Sequence, residues 1–295
     1  MNKVLKSKKS IKSKLIFNFV SILVASLLSM GIVNYAVVVK QTEKDYTNSI
    51  NKEIIQVNSG IENYLDFIKE DTYMLAQNPL IKEADSRITS YIDKEDPSGK
   101  VEMKPLENDP FEAEVYNLFK NYKESHSEIT SVGIGIESNG GYLLYPASDR
   151  PNGYDPRTRD WYKLAIENSD QPIFSDVYIS SNGSKDIISL SALKDFSGAI
   201  KGVIAININL DELTKMIGDI KIGENGYIVL VDKNGTILAK PNDESLVSKN
   251  INELNINKLD INDINTSLEM KMPDGNNYSI KVHKPSNSES SLGWT

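Results

Sequence analysis

The feature that most constrains the fold is an uncharged, apolar segment near the N-terminus, Leu15–Val39. A helix of these 25 residues is about 37 Å long at about 1.5 Å per residue. Such a helix crosses a bilayer core of about 30 Å with some tilt. The apolar region of a cleaved signal peptide is only about 7–15 residues long. The sequence therefore predicts an uncleaved transmembrane helix over 15–39, with a cleaved signal peptide as the less favoured interpretation.

The residues before this segment predict its orientation. Residues 1–14 contain six lysines and no acidic residue. Positively charged flanks stay on the cytoplasmic side of a membrane, so we expect 1–14 to form a cytoplasmic basic leader. The chain after Lys40 is then expected to lie outside the cell. The sequence thus predicts a cell-membrane protein that crosses the bilayer once within this chain.

Composition limits the functions open to the rest of the chain. Apolar residues make up 39% and charged residues 25% of the sequence, which is enough apolar material for a buried core. The net charge of −8 argues against nucleic-acid binding, which needs a basic surface. Cysteine is absent, and neither His126 nor His283 lies in a metal-binding or triad-like motif. We therefore expect no catalytic residue, no metal site, no cofactor and no enzymatic activity.

A long helix is predicted over 40–80. Gly60 is the only glycine of this stretch before the Asn78-Pro79 pair, where proline ends the helix. Its apolar residues repeat every three or four positions, at Ile50, Ile54, Val57, Ile61, Tyr64 and Ile68. Two interpretations fit this stripe equally well: a helix that lies along its own domain, and the seam of a parallel homodimer.

Two sets of strands and short helices follow. Residues 93–110 form a predicted loop, and Asp109 caps a helix that starts at Pro110. Alternating apolar residues then predict the first set: strands over 129–136, 142–145, 174–179, 187–193 and 199–208, and a helix over 210–217. The second set has strands over 227–232, 236–239, 267–272 and 278–284, with a helical or irregular stretch over 251–264. This order of antiparallel strands and inserted helices predicts an α+β fold.

Four stretches of the sequence carry a resemblance to a known family. The most distinctive is Tyr-Asp-Pro-Arg-Thr-Arg-Asp-Trp-Tyr at 154–162, and the others are 76–84, 202–210 and 223–235. Together they resemble the double Cache (dCache) sensor domain of bacterial transmembrane receptors, over residues 40–295. The resemblance implies that a stalk helix over 40–80 precedes two PAS-like modules. The membrane-distal module, 81–218, binds the ligand, and the membrane-proximal module covers 219–295.

The resemblance also implies a function. The chain is expected to be the extracytoplasmic ligand-sensing part of a methyl-accepting chemotaxis protein, which signals across the membrane, acts as a homodimer and does not bind nucleic acid. Alternatives are the sensor half of a histidine kinase or diguanylate cyclase and, less favoured, a secreted enzyme or a partner-protein-binding domain. Residues 292–295 match the opening of the proximal module's last strand, so we expect a second membrane helix and an output region beyond them.

The same resemblance implies the site residues. Arg159 holds a ligand carboxylate, with help from Tyr154, Trp161 and Tyr162, and Tyr178 lines the pocket. A guanidinium suits this role because it grips a carboxylate through two parallel hydrogen bonds. The three tyrosines fit ordinary half-buried positions equally well. In the same motif, a local structural pair between Asp155 and Arg157 is preferred to a ligand contact.

Two positions depart from the family pattern. The amino-acid-binding branch of the family holds the ligand ammonium with two aspartates, and the matching positions here are Ser180 and Asn207. An ammonium buried against neutral acceptors lacks its charge partner, which is costly. The alternative is that Asn207 accepts a hydrogen bond from the ammonium, or that Asp176 or Asp186 reaches it. The sequence therefore favours a carboxylate-bearing organic acid over a standard α-amino acid as the small-molecule ligand, with an amino-acid-like ligand as the alternative.

Overall fold

A computed structural model describes residues 11–179, 185–195, 197–220, 222–223, 226–232, 234–241, 243–254, 267–271 and 275–282. The helices are α1 (Ile11–Gln77), α2 (Pro79–Lys82), α3 (Pro105–Asn108), α4 (Pro110–Glu124), α5 (Asp160–Glu167) and α6 (Leu210–Gly218). The first six strands are β1 (Lys100–Val101), β2 (Ile129–Ile136), β3 (Tyr142–Tyr145), β4 (Arg150–Pro151), β5 (Ile173–Phe174) and β6 (Tyr178–Ile179). The other six are β7 (Lys185–Lys194), β8 (Ile200–Asn209), β9 (Leu230–Val231), β10 (Ile237–Ala239), β11 (Ser267–Lys271) and β12 (Asn277–Lys281).

Helix α1 is continuous for 67 residues and includes both the apolar segment and the predicted stalk helix. Its first part is long and apolar enough to cross a membrane. The helix ends at Gln77, and the side chain of Asn78 accepts a hydrogen bond of 2.9 Å from the Leu80 amide to cap α2. The described chain divides into two compact units, one up to Glu53 and one from Ile54 onward.

A six-stranded antiparallel sheet is the centre of the second unit. Its strand order is β3-β2-β8-β7-β5, and β6 also pairs with β7. The register sets Ser131 opposite Asn207 and Gly133 opposite Ala205. Side chains alternate between the two faces of a strand, so one face of the sheet carries small or polar residues at its middle.

The apolar core covers the opposite face. Alternate residues of β2 and β8, such as Ile134 and Ile206, are fully buried there. The same core cluster includes Ile68 of α1 and Phe119 of α4. Within this core, the hydroxyl of Thr72 donates to the carbonyl oxygen of Ile68 and shares a 2.6 Å hydrogen bond with the hydroxyl of Ser189 of β7. Helix α1 is therefore fixed to the sheet by apolar contacts and one buried polar pair.

The apolar stripe of α1 belongs in part to this core. Ile61 and Ile68 are at most 4% exposed and pack beneath the sheet, and Val57 and Tyr64 are partly buried against the same cluster. For these residues, the structure favours a helix that lies along its own domain. The homodimer seam stays a prediction.

The small-residue face of the sheet carries α5. Tyr162 and Ala165 form a second apolar cluster with Ile188 and Leu190 of β7. The sequence missed α5, because a helix of eight residues barely exceeds two turns and gives little periodicity. Two further differences are local. The predicted loop over 93–110 contains β1 and α3, and the predicted strand over 174–179 is split into β5 and β6.

The second set of strands forms two hairpins in the described residues, β9 with β10 and β11 with β12. The predicted helical or irregular stretch begins as a 3-10 helix at Ile251–Leu254. Its remainder, over 255–264, lies outside the described residues, as do His283 and the chain end over 292–295.

Candidate ligand-binding site

The 154–162 motif begins with a turn that is held by its own side chains. The Asp155 carboxylate accepts hydrogen bonds from the Arg157 backbone amide at 2.9 Å and from the Arg157 guanidinium at 2.8 Å. Arg157 also donates to the carbonyl oxygen of Glu137 at 3.0 Å. These hydrogen bonds from Arg157 hold the pKa of Asp155 below its usual value. The pair is therefore a structural clamp, as the residue pattern favoured.

Arg159 is the residue that precedes α5. Its backbone is extended, with φ −81° and ψ 145°, and its side chain is exposed. Within the described ranges, no carboxylate lies within 4.0 Å of its guanidinium. Arg159 thus presents an unpaired cation at the start of the helix that carries Trp161 and Tyr162.

Tyr162 is placed differently from the other motif residues. It is 2% exposed, and its hydroxyl donates a 2.7 Å hydrogen bond to the Glu137 carboxylate. Its ring lies on Gly135, where an added Cβ would come within 3.0 Å of the ring carbons. Tyr162 therefore fixes α5 on the sheet with its hydroxyl already occupied.

Tyr154 and Trp161 form an aromatic cluster together with Tyr142 of β3. The ring centroids of Tyr142 and Tyr154 are 5.0 Å apart, and those of Tyr142 and Trp161 are 6.2 Å apart. Such tilted rings attract one another and hold their positions. Tyr142 was not among the sequence candidates. Its place in the alternating strand pattern was the only sequence signal for it, and that signal does not separate a ligand contact from a core position.

A neutral hydrogen-bonded chain crosses the middle of the same face. The Tyr178 hydroxyl donates to the Asn207 side-chain oxygen at 2.7 Å. The Asn207 amide in turn donates to the Ser131 hydroxyl at 2.7 Å. Asn207 is 7% exposed, so its side chain is buried and satisfied without a charge. Ser180, the other departing position, lies outside the described residues.

Arg150 is a site residue that sequence reasoning missed. Its guanidinium lies 5.4 Å from the ring centroid of Tyr142 and 5.5 Å from that of Tyr154. Its Nε donates a 3.0 Å hydrogen bond to the carbonyl oxygen of Ser148. The available sequence signal was its position four residues before Tyr154, in a chain that is poor in arginine.

The segment Thr89–Tyr91 closes the other side of the cluster. Tyr91 pairs through its backbone with Tyr154 and is fully buried. Its hydroxyl has no hydrogen-bond partner among the described residues. The Glu112 carboxylate holds the segment in place by accepting hydrogen bonds from the Thr89 amide at 2.9 Å and from the Thr89 hydroxyl at 2.5 Å.

Burial sets the protonation of these tyrosines. It raises the pKa of Tyr91, Tyr142, Tyr154 and Tyr178, and this outweighs the nearby Arg150 guanidinium, which lowers the pKa of each. All four hydroxyls are therefore neutral at physiological pH and able to donate hydrogen bonds. No cluster of three or more metal-binding side chains occurs in the described part of the chain.

Glu112 predicts a pH dependence of stability. Burial raises the pKa of its carboxyl, against the lowering effect of its hydrogen bonds to Thr89 and Asn108. The folded state thus binds this proton more tightly than the unfolded state, so Glu112 stabilises the fold most at low pH. This contribution is lost as the pH rises above the ordinary carboxyl pKa of about 4.3.

We therefore expect the stability of the wild type to fall relative to Glu112→Gln as the pH increases. Urea unfolding of both proteins, followed by tryptophan fluorescence at about pH 4 and about pH 7, measures this difference. Glu102→Gln, at an exposed position, serves as the control. A difference between wild type and Glu112→Gln that is constant with pH would contradict the assignment.

Comparison with known proteins supports this arrangement of elements. A family model described as a Cache domain, dCache_1, matches residues 36–294. The methyl-accepting chemotaxis protein McpB of Bacillus subtilis is 26% identical over 236 residues, which are 80% of this chain and 32% of McpB. The chain thus spans about a third of the length of this relative.

Two solved structures share the fold. The ligand-binding domain of the Pseudomonas fluorescens chemoreceptor CtaA, in complex with L-serine, has a TM-score of 0.63 at 23% identity, covering 85% of this chain and 95% of that domain. The ligand-binding domain of the Pseudomonas aeruginosa amino-acid chemoreceptor PctC, in complex with GABA, has a TM-score of 0.59 at 24% identity, covering 82% and 94%. With the family match over most of its length, the chain belongs to the dCache family of Cache domains.

Proposed function

We propose that the chain is the extracytoplasmic sensor of a transmembrane chemoreceptor of the methyl-accepting type. In this proposal the distal module, 81–218, binds a small carboxylate-bearing metabolite. The observation that carries the proposal is the unpaired Arg159 guanidinium beside the aromatic cluster of Tyr154 and Trp161. The curated relatives support the class of receptor, because McpB is a methyl-accepting chemotaxis protein.

Arg159 supplies the anchor for the carboxylate. A guanidinium offers a planar pair of donors that matches the two oxygens of a carboxylate. Trp161 adds an indole N–H, and Tyr154 adds a neutral hydroxyl. Rigid aromatic rings with a few convergent polar groups are typical of small-molecule sites. Tyr162 contributes by holding α5 in place.

The far side of the site determines the ligand class. Asn207 accepts from Tyr178 and donates to Ser131, so position 207 itself is polar but uncharged. An ammonium placed against Asn207 would lose its water without gaining an anionic partner from that residue. The carboxylate of Asp186, which is buried and acts on Tyr178, is the alternative partner. We infer that the ligand is an organic acid. The two solved relatives are complexes with GABA and with L-serine, which supports a small carboxylate-bearing molecule and makes the amino acids the comparison ligands.

Signalling follows from the topology of the family. In this proposal 15–39 crosses the membrane with the N-terminus in the cytoplasm, and ligand binding shifts an existing equilibrium between two arrangements of a homodimer. Ile61 and Ile68 are buried in their own domain. Phe67 and Met74 of α1 remain 52% and 55% exposed, and this second face is available to a partner helix. The matched relatives favour a chemotaxis output over a kinase or cyclase.

The central test replaces Arg159 with glutamine in the full chain in detergent. We expect the variant to fold and to lose binding of organic acids by about 10-fold or more, because a hydrogen bond to a charged group contributes about 1.5–3 kcal/mol. Isothermal titration calorimetry with a panel of small carboxylates measures the loss. Arg87→Gln is the matched control, since Arg87 is exposed and pairs with Asp85. Unchanged binding by Arg159→Gln would overturn the assignment.

A further inference from the structure

On the basis of the proposed function, we further propose that Arg150 is a second anion-binding group of the same site, and that the ligand is a dicarboxylic acid. One carboxylate is held by Arg159 and the other by Arg150. Four observations lead to this inference: the distribution of arginine, the position of Arg150, the unpaired state of both guanidinium groups and the orphan hydroxyl of Tyr91.

Arginine is rare in this chain and concentrated at the site. The sequence contains only four arginines, and three of them, Arg150, Arg157 and Arg159, fall within ten residues. Lysine supplies the remaining basic residues elsewhere. Arginine differs from lysine in its rigid planar fork, which suits carboxylate recognition and stacking on aromatic rings. Arg157 is occupied by Asp155, which leaves two guanidinium groups for a ligand.

Arg150 lies closer to the centre of the aromatic cluster than Arg159. It stacks near both Tyr142 and Tyr154 and is partly buried. It lowers the pKa of four surrounding tyrosines, whereas Arg159 lowers that of Tyr154 alone. The two cations therefore meet at Tyr154, one toward the inside of the cluster and one at its exposed edge.

Neither cation has a counter-ion in the described part of the chain, where no carboxylate lies within 4.0 Å of either guanidinium. Two unpaired guanidinium groups near one hydroxyl repel each other, and a ligand with two negative charges relieves this repulsion. A monocarboxylate relieves only part of it.

Tyr91 provides a donor that lacks an acceptor. Its hydroxyl is buried without a hydrogen-bond partner among the described residues, which is uncommon in native proteins. Two charged groups act electrostatically on this same hydroxyl, first the Glu112 carboxylate, which is held by Thr89, and then the Arg150 guanidinium. A carboxylate bound to Arg150 would supply the acceptor that Tyr91 needs. The feature is thus explained by a ligand group at this end of the site.

A buried acidic residue, Asp186, is relevant to the alternative that the ligand carries an ammonium group. Asp186 of β7 is 3% exposed and lies next to Tyr178, whose pKa it raises. In the sheet it pairs with Asn209, which is two residues beyond Asn207 in β8. Since side chains alternate between the two faces of a strand, Asp186 lies on the same face of the sheet as Asn207. If the ligand carried an ammonium, Asp186 is the carboxylate that would receive it. The experiment must therefore separate a dianion from a zwitterion.

The test uses ligands matched in length. Calorimetry on the full chain in detergent compares the affinities for malonate, succinate, glutarate and adipate. Because these diacids differ in length, the one that binds most tightly indicates the distance between the two guanidinium groups. For the best diacid, the panel adds its monoamide, which keeps the shape but removes one charge, and the ω-amino acid, which replaces one carboxylate by an ammonium. We expect the affinity for the diacid to be higher than the affinity for either analogue by about 10-fold or more.

Two variants locate the second carboxylate. Arg150→Gln is expected to weaken binding of the diacid by about 10- to 100-fold and to leave the affinity for the monoamide nearly unchanged. Tyr91→Phe removes an unsatisfied hydroxyl, so we expect unchanged or higher thermal stability without ligand and weaker diacid binding. A purely structural role for Tyr91 would lower thermal stability or leave the diacid affinity unaltered.

The outcomes separate this inference from the proposed function. If monocarboxylates bind through Arg159 and the diacids have no advantage, the dicarboxylate inference is wrong and the proposed function stands. If the ω-amino acid binds tightest and Asp186→Asn removes that advantage, the ligand is a zwitterion and the inference is likewise wrong. If no carboxylate binds at all, the proposed function itself fails.

Discussion

Replacement of Asn207 by aspartate is expected to reverse the ligand preference of the site. Wild-type protein should bind organic acids more tightly than the corresponding amino acids, and Asn207→Asp should favour the amino acids. The loss of one partner of a buried charge pair costs about 2–5 kcal/mol. Because Asn207→Asp supplies that partner for an ammonium, we expect the ratio of the two affinities to change by about 30-fold or more.

The physical reason lies in the hydrogen bonds around residue 207. Tyr178 already donates to the side-chain oxygen of Asn207 at 2.7 Å. Ser131, which now accepts from the Asn207 amide at 2.7 Å, has a hydroxyl that is free to turn and donate instead. An aspartate would therefore find two donors without any backbone change. Its charge would pair with a ligand ammonium and would repel a second carboxylate.

The measurement is a pair of calorimetric titrations for each protein, one with an organic acid and one with the amino acid of the same carbon skeleton. Asn209→Asp is the matched control. Asn209 ends the same strand, and its side chain caps α6 by accepting from the Asp211 amide at 2.6 Å. Aspartate caps helices equally well, so the preference should not change. If the ratio of organic-acid to amino-acid affinity is the same in wild type and in Asn207→Asp, residue 207 does not face the ligand.

This experiment also shows how far sequence reasoning reaches at the site. The departure at position 207 was visible in the sequence, because a single motif position decides whether a charge is present. The consequence of this departure was not visible, because the hydrogen bonds to Tyr178 and Ser131 depend on the register of four strands, β2, β8, β7 and β6. Arg150 and Tyr91 were missed for the same reason. Tyr91 meets Tyr154 through a backbone pairing between distant segments, and no local pattern encodes it.

The fold was more predictable where its signals are local. Strands β2 and β3 have the bounds that alternation predicted, Ile129–Ile136 and Tyr142–Tyr145, because a Gly-Gly turn separates two regular apolar patterns. Helix α4 begins at Pro110, and Asp109 caps it by accepting from the Phe111 amide at 2.7 Å. By contrast, β5 and β6 are only two residues each. Their pairing with β7 defines them, so periodicity could not predict the break.

Gly202→Ala is expected to be the most destabilising small substitution in the sheet. Gly202 lies in β8 opposite Ile136 of β2 and Leu193 of β7. An added Cβ would overlap the backbone carbonyl oxygen of Gly135. Overfilling a close-packed region typically costs about 1–3 kcal/mol. Since a carbonyl oxygen in the middle of a sheet cannot turn aside as a side chain can, we expect a loss of about 3 kcal/mol or more.

We expect Gly202→Ala to weaken ligand binding as well as to destabilise the fold. Gly135 supports the ring of Tyr162, and this contact holds α5, which carries Trp161 and follows Arg159. A shift of β2 away from β8 would therefore move the carboxylate anchor. Urea unfolding, followed by tryptophan fluorescence, measures the stability, and calorimetry at a temperature where the variant stays folded measures the affinity.

Gly60→Ala provides the matched control, with the opposite sign. Gly60 lies within α1, and an added Cβ there meets no atom within 4 Å. Alanine favours a helix interior over glycine by about 1 kcal/mol, so this variant should be as stable as wild type or more stable, with unchanged affinity. Equal stability of Gly202→Ala and Gly60→Ala would mean that β2 and β8 can separate without cost. The sheet would then not be the rigid support that positions Arg159, and the ligand affinity would have to depend on α5 alone.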